Sequence, residues 1–175
     1  PSGPLKADME RHVVRFVSVQ PDWSPFTPTK LPGNDRAVLQ YVGPSGHGRM
    51  DPWALPANHF SIYLLYVPPG GGSPYHTHET EEVFTVLEGR LSVFWERDGE
   101  EAEVVLGPKD LIYCPPNQRL RFVNTGVEGA WAHVVLGGAA AYCSSVTVLA
   151  PGDRAVSIGP RSRWHRPTPY AAGGR

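Results

Sequence analysis

Two histidines and a glutamate in the stretch "GGGSPYHTHETEEVFTVLEG", Gly70 to Gly89, have the residue types and spacing to hold a metal ion. Side chains two apart on a strand share a face, so His76 and His78 project together, about 6 to 7 Å apart at their Cα atoms from the strand rise, while Thr77 turns away. If Glu79, Thr80 and Glu81 turn the chain, Glu82 returns beside the histidines at the head of the next apolar run. Two neutral imidazoles and one carboxylate, with coordination positions left open, are the ligand logic of non-haem Fe(II) oxygenases and of other mononuclear sites. The alternative reading of a bare H-x-H in a Gly/Pro-flanked loop is a pair of solvated histidines.

The elements that must position these residues are short strands. The chain has 175 residues, enough for one ordinary core with trimmings. Its 19 glycines and 19 prolines recur along the whole sequence instead of collecting in one linker, the punctuation of many strands joined by turns. Runs of strand type are "HVVRFVSV" (12–19), "RAVLQYVG" (36–43), "HFSIYLLYV" (59–67), "EVFTVLEG", "RLSVFWERDG", "EAEVVL", "LIYCPP", "RLRFVN" and "WAHVVLG". The last six fall within about seventy residues, which predicts an antiparallel sandwich or small barrel. The expected organisation is N-terminal strands and loops packing on the barrel over 1–58, a core barrel over 59–138, and one or two further strands with an extended tail over 139–175.

The charge balance of 16 Lys+Arg against 17 Asp+Glu, net −1, leaves no electrostatic footprint for nucleic acid or an anionic membrane and points to a small-molecule partner. Cys114 and Cys143 belong to no C-x-x-C pair, and no apolar run reaches the roughly 18 residues of a membrane span. Reduced thiols and no secretory pattern at the start predict a cytoplasmic protein.

The opening stretch resembles the first motif of the cupin family, G-x5-H-x-H-x3-E-x6-G, with Gly70, His76, His78, Glu82 and Gly89 in register. The second motif, G-x5-P-x-G-x2-H-x3-N, aligns on "KDLIYCPPNQRLRFVN" and is incomplete. Pro115 and Asn124 are kept, Lys109 and Asn117 stand at the two glycine positions, and Leu120 stands where the family places its last metal-binding histidine. Asparagine enters left-handed turns readily, so Asn117 is a mild change. An isobutyl group does not ligate. The resemblance spans about 60–137 and implies an all-β fold, a double-stranded β-helix or jelly-roll cupin barrel. It implies a metal set reduced to His76, His78 and Glu82, and a homodimer formed by sheet extension.

A replacement fourth ligand or proton carrier is His133 in "AWAHVVLG", provided it faces inward; alternation leaves Trp131/His133/Val135 and Ala132/Val134/Leu136 both open as the inward set. Gln118, Leu120 and Phe122 share one face and, with Phe84 and Val86 continuing inward from Glu82, predict an apolar substrate pocket with few polar anchors, suited to an aromatic or lipophilic small molecule. Tyr63, Tyr66, Trp95 and Tyr113 are further candidates of undetermined facing. Cys114 reads as a small buried hydrophobe. His12, His47, His59 and His165 lack partners at ligand spacing and read as structural or exposed.

The function expected is a metal-dependent small-molecule enzyme, with iron(II) the favoured ion and a dioxygenase or related oxidoreductase the favoured class. Zinc, nickel or manganese acting as a Lewis acid for isomerisation, cyclisation or decarboxylation is the second enzymatic reading, since imidazole and carboxylate suit all of these ions. A non-catalytic ligand-binding cupin is the competing class, kept open by Leu120.

Overall fold

The computed structural model describes residues 3–24, 32–44 and 50–138, together with the backbone of two short strands further on. Eight strands form the body: β1 (Ala37–Val42), β2 (Phe60–Val67), β3 (Glu82–Glu88), β4 (Leu91–Arg97), β5 (Glu100–Leu106), β6 (Leu111–Cys114), β7 (Arg119–Val123) and β8 (Ala130–Gly137). They make two antiparallel sheets, one of five strands in the order β1-β2-β8-β3-β6 and one of three in the order β5-β4-β7. This is the expected jelly-roll barrel. Beyond it β9 (Val146–Val148) and β10 (Val156–Ile158) pair antiparallel as a hairpin, within the stretch where one or two further strands are expected.

The inward faces follow the period of two. Along β8 the even residues Ala132, Val134 and Leu136 are buried, and along β7 so are Leu120 and Phe122. Of these, Ala132, Val134, Leu120 and Phe122 join Val38, Leu65, Val67, Phe84, Val86, Leu91, Val93, Leu106 and Cys114 in one cluster between the sheets. The outer face of the five-stranded sheet is covered in part as well: Val14 and Val19 pack there against Leu64, Tyr66 and Trp131.

The strand expected over 12–19 is not formed. A helix, α1 (Pro4–Glu10), precedes it, with proline in its first turn and every residue exposed. Residues 16–18 make a 3₁₀ turn. Val14, Val19 and the Phe16 ring reach the sheet face while Val13 and Val17 stay exposed, and among the described residues Asp22 bridges to the strand edge at Val38. Among the described residues no helix is long and apolar enough to cross a membrane.

Two glycines of the 70–89 stretch, Gly89 of the first motif and Gly72 beside it, stand where no other residue fits. Gly89 makes the β3–β4 turn at φ 75°, and a Cβ there would lie 2.6 Å from the Gly129 carbonyl oxygen. At Gly72 a Cβ would lie 2.2 Å from the Phe122 carbonyl oxygen, so only glycine lets the segment after β2 run against β7.

Candidate metal centre

The segment carrying the histidines is an extra edge on β7. Gly72 bridges to Val123, the Ser73 N–H donates to Phe122 O (2.9 Å), and the Asn117 N–H donates to His78 O (2.7 Å). His76 and Leu120 exchange both backbone hydrogen bonds, 2.8 and 2.9 Å. The buried Arg36 pins the start of the segment by donating to Gly72 O at 2.8 Å. His76 and His78 are thereby carried by the three-stranded sheet, whereas Glu82 heads β3 in the five-stranded one. The three meet inside the barrel with their donor atoms all within 4.8 Å of one another.

Each donor is prepared for a cation. His76 Nδ1 lies 2.9 Å from Pro74 O. A carbonyl only accepts, so Nδ1 carries the proton and the Nε2 lone pair is left for a ligand. Burial, with His78 alongside, pushes the His76 pKa down to about 3, so the ring is neutral. The two imidazole centroids are 5.0 Å apart. Tyr63 donates its hydroxyl to Glu82 Oε1 at 3.2 Å. The other oxygen, Oε2, lies 3.4 Å from His78 Nε2 and is buried without a hydrogen-bond partner. Burial raises the Glu82 pKa against the opposing pull of His78 and Tyr63.

These residues fit a divalent ion. A buried carboxylate oxygen lacking a partner is costly, and a neutral imidazole with a free lone pair beside it is the usual company of a first-row metal. The second-motif departures are tolerated by the backbone. Lys109 and Asn117 both keep the left-handed conformation of the glycines they replace, at φ 76° and 63°. Leu120 points into the barrel, 1% exposed, opposite His76. That is the place of the missing ligand.

Phe84, Leu120 and Phe122 are buried beside the cluster, with the Phe84 and Phe122 rings 5.5 Å apart and Phe122 6.4 Å from the His76 ring. Gln118 is buried too, but its amide is committed: Nε2 donates to Arg119 O (2.9 Å) and Glu96 O (3.4 Å), and Oε1 accepts from Arg97 (2.8 Å). Cys114 is inward and opposite Glu82 in the β3–β6 register, its thiol pushed up to about 12 by burial and by the nearby Glu82 charge. Trp95 also faces inward, opposite Leu120.

The expectation for His133 is corrected. It stands opposite Leu64 and Thr85, on the face of β8 away from Ala132 and Val134, and so outside the barrel interior. Tyr66 and Tyr113 are outward as well: Tyr66 packs against Trp131, and Tyr113 is exposed. His12 and His59 are exposed as expected; His47, His165 and Cys143 lie outside the described residues. The tie between Tyr63 and Glu82 was not assigned from sequence, although the β2 alternation that buries Ser61, Leu65 and Val67 carries it.

The family model of the cupin domain matches residues 63–136. No curated protein matches the chain. Among solved structures, the polyketide cyclase RemF of Streptomyces resistomycificus is 24% identical at a TM-score of 0.52, over 71% of this chain and 78% of its own. The DMSP lyase DddQ of Ruegeria pomeroyi is 23% identical at a TM-score of 0.48, over 59% of this chain and 47% of its own, so the match spans about half the lyase. A cupin 2 conserved barrel domain protein of Salinispora arenicola is 25% identical at a TM-score of 0.47, over 61% of this chain and 79% of its own. The matched stretch, residues 63–136, covers most of the barrel from β2 to β8, and there the chain folds as a cupin-type jelly roll.

Proposed function

We propose that the protein is a metal-dependent enzyme acting on a small apolar or aromatic molecule inside the barrel, with one divalent first-row ion on His76, His78 and Glu82. The observation that carries this reading is the buried, unpartnered Glu82 Oε2 at 3.4 Å from His78 Nε2. Three protein donors leave coordination positions open, and iron(II) is the favoured ion because two imidazoles and a carboxylate match the donor set of oxygen-activating sites.

The chain's own residues do the rest. Tyr63 fixes the Glu82 carboxylate through Oε1, so that Oε2 is the oxygen presented. The Pro74 carbonyl holds the His76 tautomer. Phe84, Leu120 and Phe122 exclude water and leave an apolar wall for the substrate. When bound, the ion supplies Lewis acidity and, if it is iron(II), a site for dioxygen activation.

Metal analysis of protein purified without added metal or a nickel column tests this, repeated on His76→Ala. Iron near one per chain that is lost in the variant, with oxygen uptake on adding aromatic candidates, is the expected result. Stoichiometric zinc, nickel or manganese without oxygen uptake turns the chemistry to isomerisation, cyclisation or decarboxylation. No metal in either protein overturns the proposal and leaves a non-catalytic binding barrel.

A further inference from the structure

Beside Trp95 the barrel opens into a cavity of about 480 Å³ whose wall includes Arg97, Ala102 and Gln118. Trp95, Arg97 and Ala102 share one face of β4 and β5, since Trp95 stands opposite Ala102 and Leu120 in the register, with Arg97 and Ala102 at its exposed end. Leu120 is in turn the residue bonded to His76 through both backbone groups. Trp95 therefore lies one strand from Leu120 and two from the histidine segment, between the cavity and the ligand cluster. Its Nε1 is buried and faces the Cys114 thiol.

Arg97 differs from the other arginines of this sheet. Arg119 is paired with Glu96 at 2.6 Å and Arg121 with Glu101 at 3.6 Å. Among the described residues Arg97 has no carboxylate within ion-pair distance, and its guanidinium is held only by the neutral Gln118 Oε1 at 2.8 Å. Because Gln118 spends its own N–H groups on two carbonyls, the amide cannot turn and its oxygen stays on Arg97. A guanidinium has five N–H donors in a planar fork that matches a carboxylate, and one neutral acceptor leaves most of them open.

We propose that this cavity is an anchoring subsite for an aromatic monocarboxylate, whose carboxylate takes Arg97 and whose ring lies on Trp95 with its far end toward the metal ligands. The assignment deepens the metal reading, on which the word substrate rests. A singly charged acid is favoured over a phosphate because Asp98, Glu100 and Glu101 also border the cavity and repel a dianion more strongly. Stacking on Trp95 offsets part of that repulsion through apolar burial.

The test uses the full chain as purified. Benzoate, phenylacetate, 3-phenylpropanoate and 4-phenylbutyrate are titrated calorimetrically against their primary amides and against amines of matching length. The expected result is that at least one acid binds about tenfold tighter than its amide. That preference disappears in Arg97→Gln with metal content unchanged, and persists in His76→Ala. Acids and amides bound equally, no binding by any acid, amines bound best, or a preference kept in Arg97→Gln overturns the subsite. So does a preference lost in His76→Ala and kept in Arg97→Gln, which assigns the carboxylate to the metal. If no protein contains metal, the proposed function falls while the Arg97 comparison still decides the anion site.

Discussion

Leu120 and His76 are bonded to each other through both backbone groups, at 2.8 and 2.9 Å, so the leucine side chain enters the barrel directly opposite a histidine of the candidate metal set. The backbone at the position where the cupin motif has its last histidine pairs fully with His76, and Leu120 puts no donor atom there. Leu120→His should supply one. The expected outcome is metal affinity raised by at least about tenfold, read by competition with a chelator, because a fourth donor is added to a preformed set. The metal-free variant should lose about 1–3 kcal/mol, since a polar ring replaces a fully buried leucine, and metal should return more than it lost. Unchanged affinity would show that the position does not face the ion.

Tyr63 is the residue that decides which oxygen Glu82 offers. Tyr63→Phe leaves the ring in place and removes the hydroxyl on Oε1, so the carboxylate loses its fixed orientation. Metal affinity is expected to fall about tenfold, the lower end of what outer-shell partners are worth. Tyr66→Phe, one residue class and three positions away on the outer face, is the control and should leave affinity unchanged. Equal effects from both would remove Tyr63 from the site.

The barrel strands are legible because their alternation and turn residues agree with the faces they bury, and the grouping of His76, His78 and Glu82 is legible from their spacing together with the resemblance to the first cupin motif. The facing of His133 is not. "AWAHVVLG" is apolar on both faces because β8 is central and the five-stranded sheet is covered on one side by the barrel core and in part on the other by the N-terminal segment. Two covered faces erase the polar signal that marks which side is out. The segment over 12–19 differs from the expectation for a related reason: Val14 and Val19 pack on that outer face without a neighbouring strand to pair with, while Val13 and Val17 stay exposed. Arg97 has no signature in the sequence, because its setting lies in the β4–β7 register and in the absence of a carboxylate partner among the described residues, neither of which has a local pattern. His133→Gln is expected to bind metal like the parent; a tenfold loss would return that histidine to the site.

Lys109 is a lysine in glycine's conformation. It is exposed, its φ is 76°, and its N–H donates to Val86 O at 2.8 Å, an interaction any residue keeps. The left-handed conformation costs a non-glycine residue about 1–2 kcal/mol, part of which is offset by the greater freedom of glycine in the unfolded chain. Lys109→Gly should therefore stabilise the fold by about 0.5–1 kcal/mol in denaturant titration. Asn117, at φ 63°, should gain less from the same change, because asparagine tolerates that region. Destabilisation by Lys109→Gly would mean that the lysine side chain contributes more than its backbone costs.

Glu82 sets ligation against stability. Its pKa is raised by burial, so in metal-free protein ionising this carboxylate costs stability. The sign follows from the raised value: the folded chain binds this proton more tightly than the unfolded chain. The cost is therefore absent below the ordinary value of 4.5 and grows as pH rises through the folded value. Glu82→Gln keeps an acceptor for the Tyr63 hydroxyl and removes the charge. Metal-free Glu82→Gln should melt about 3 °C above the metal-free parent at pH 7, corresponding to about 1 kcal/mol. That margin should close as pH falls toward 4.5, because the parent carboxylate then takes its proton. His76 works the other way, since a ring held neutral down to about 3 loses stability as pH drops below its ordinary 6.5, but both proteins share it and it cancels in the difference. On adding metal the order should reverse: the parent gains by mass action and the glutamine variant gains little. A glutamine variant less stable than the parent in the metal-free state at pH 7 would mean that the carboxylate is already compensated, and the case for a missing cation at Oε2 would fall with it.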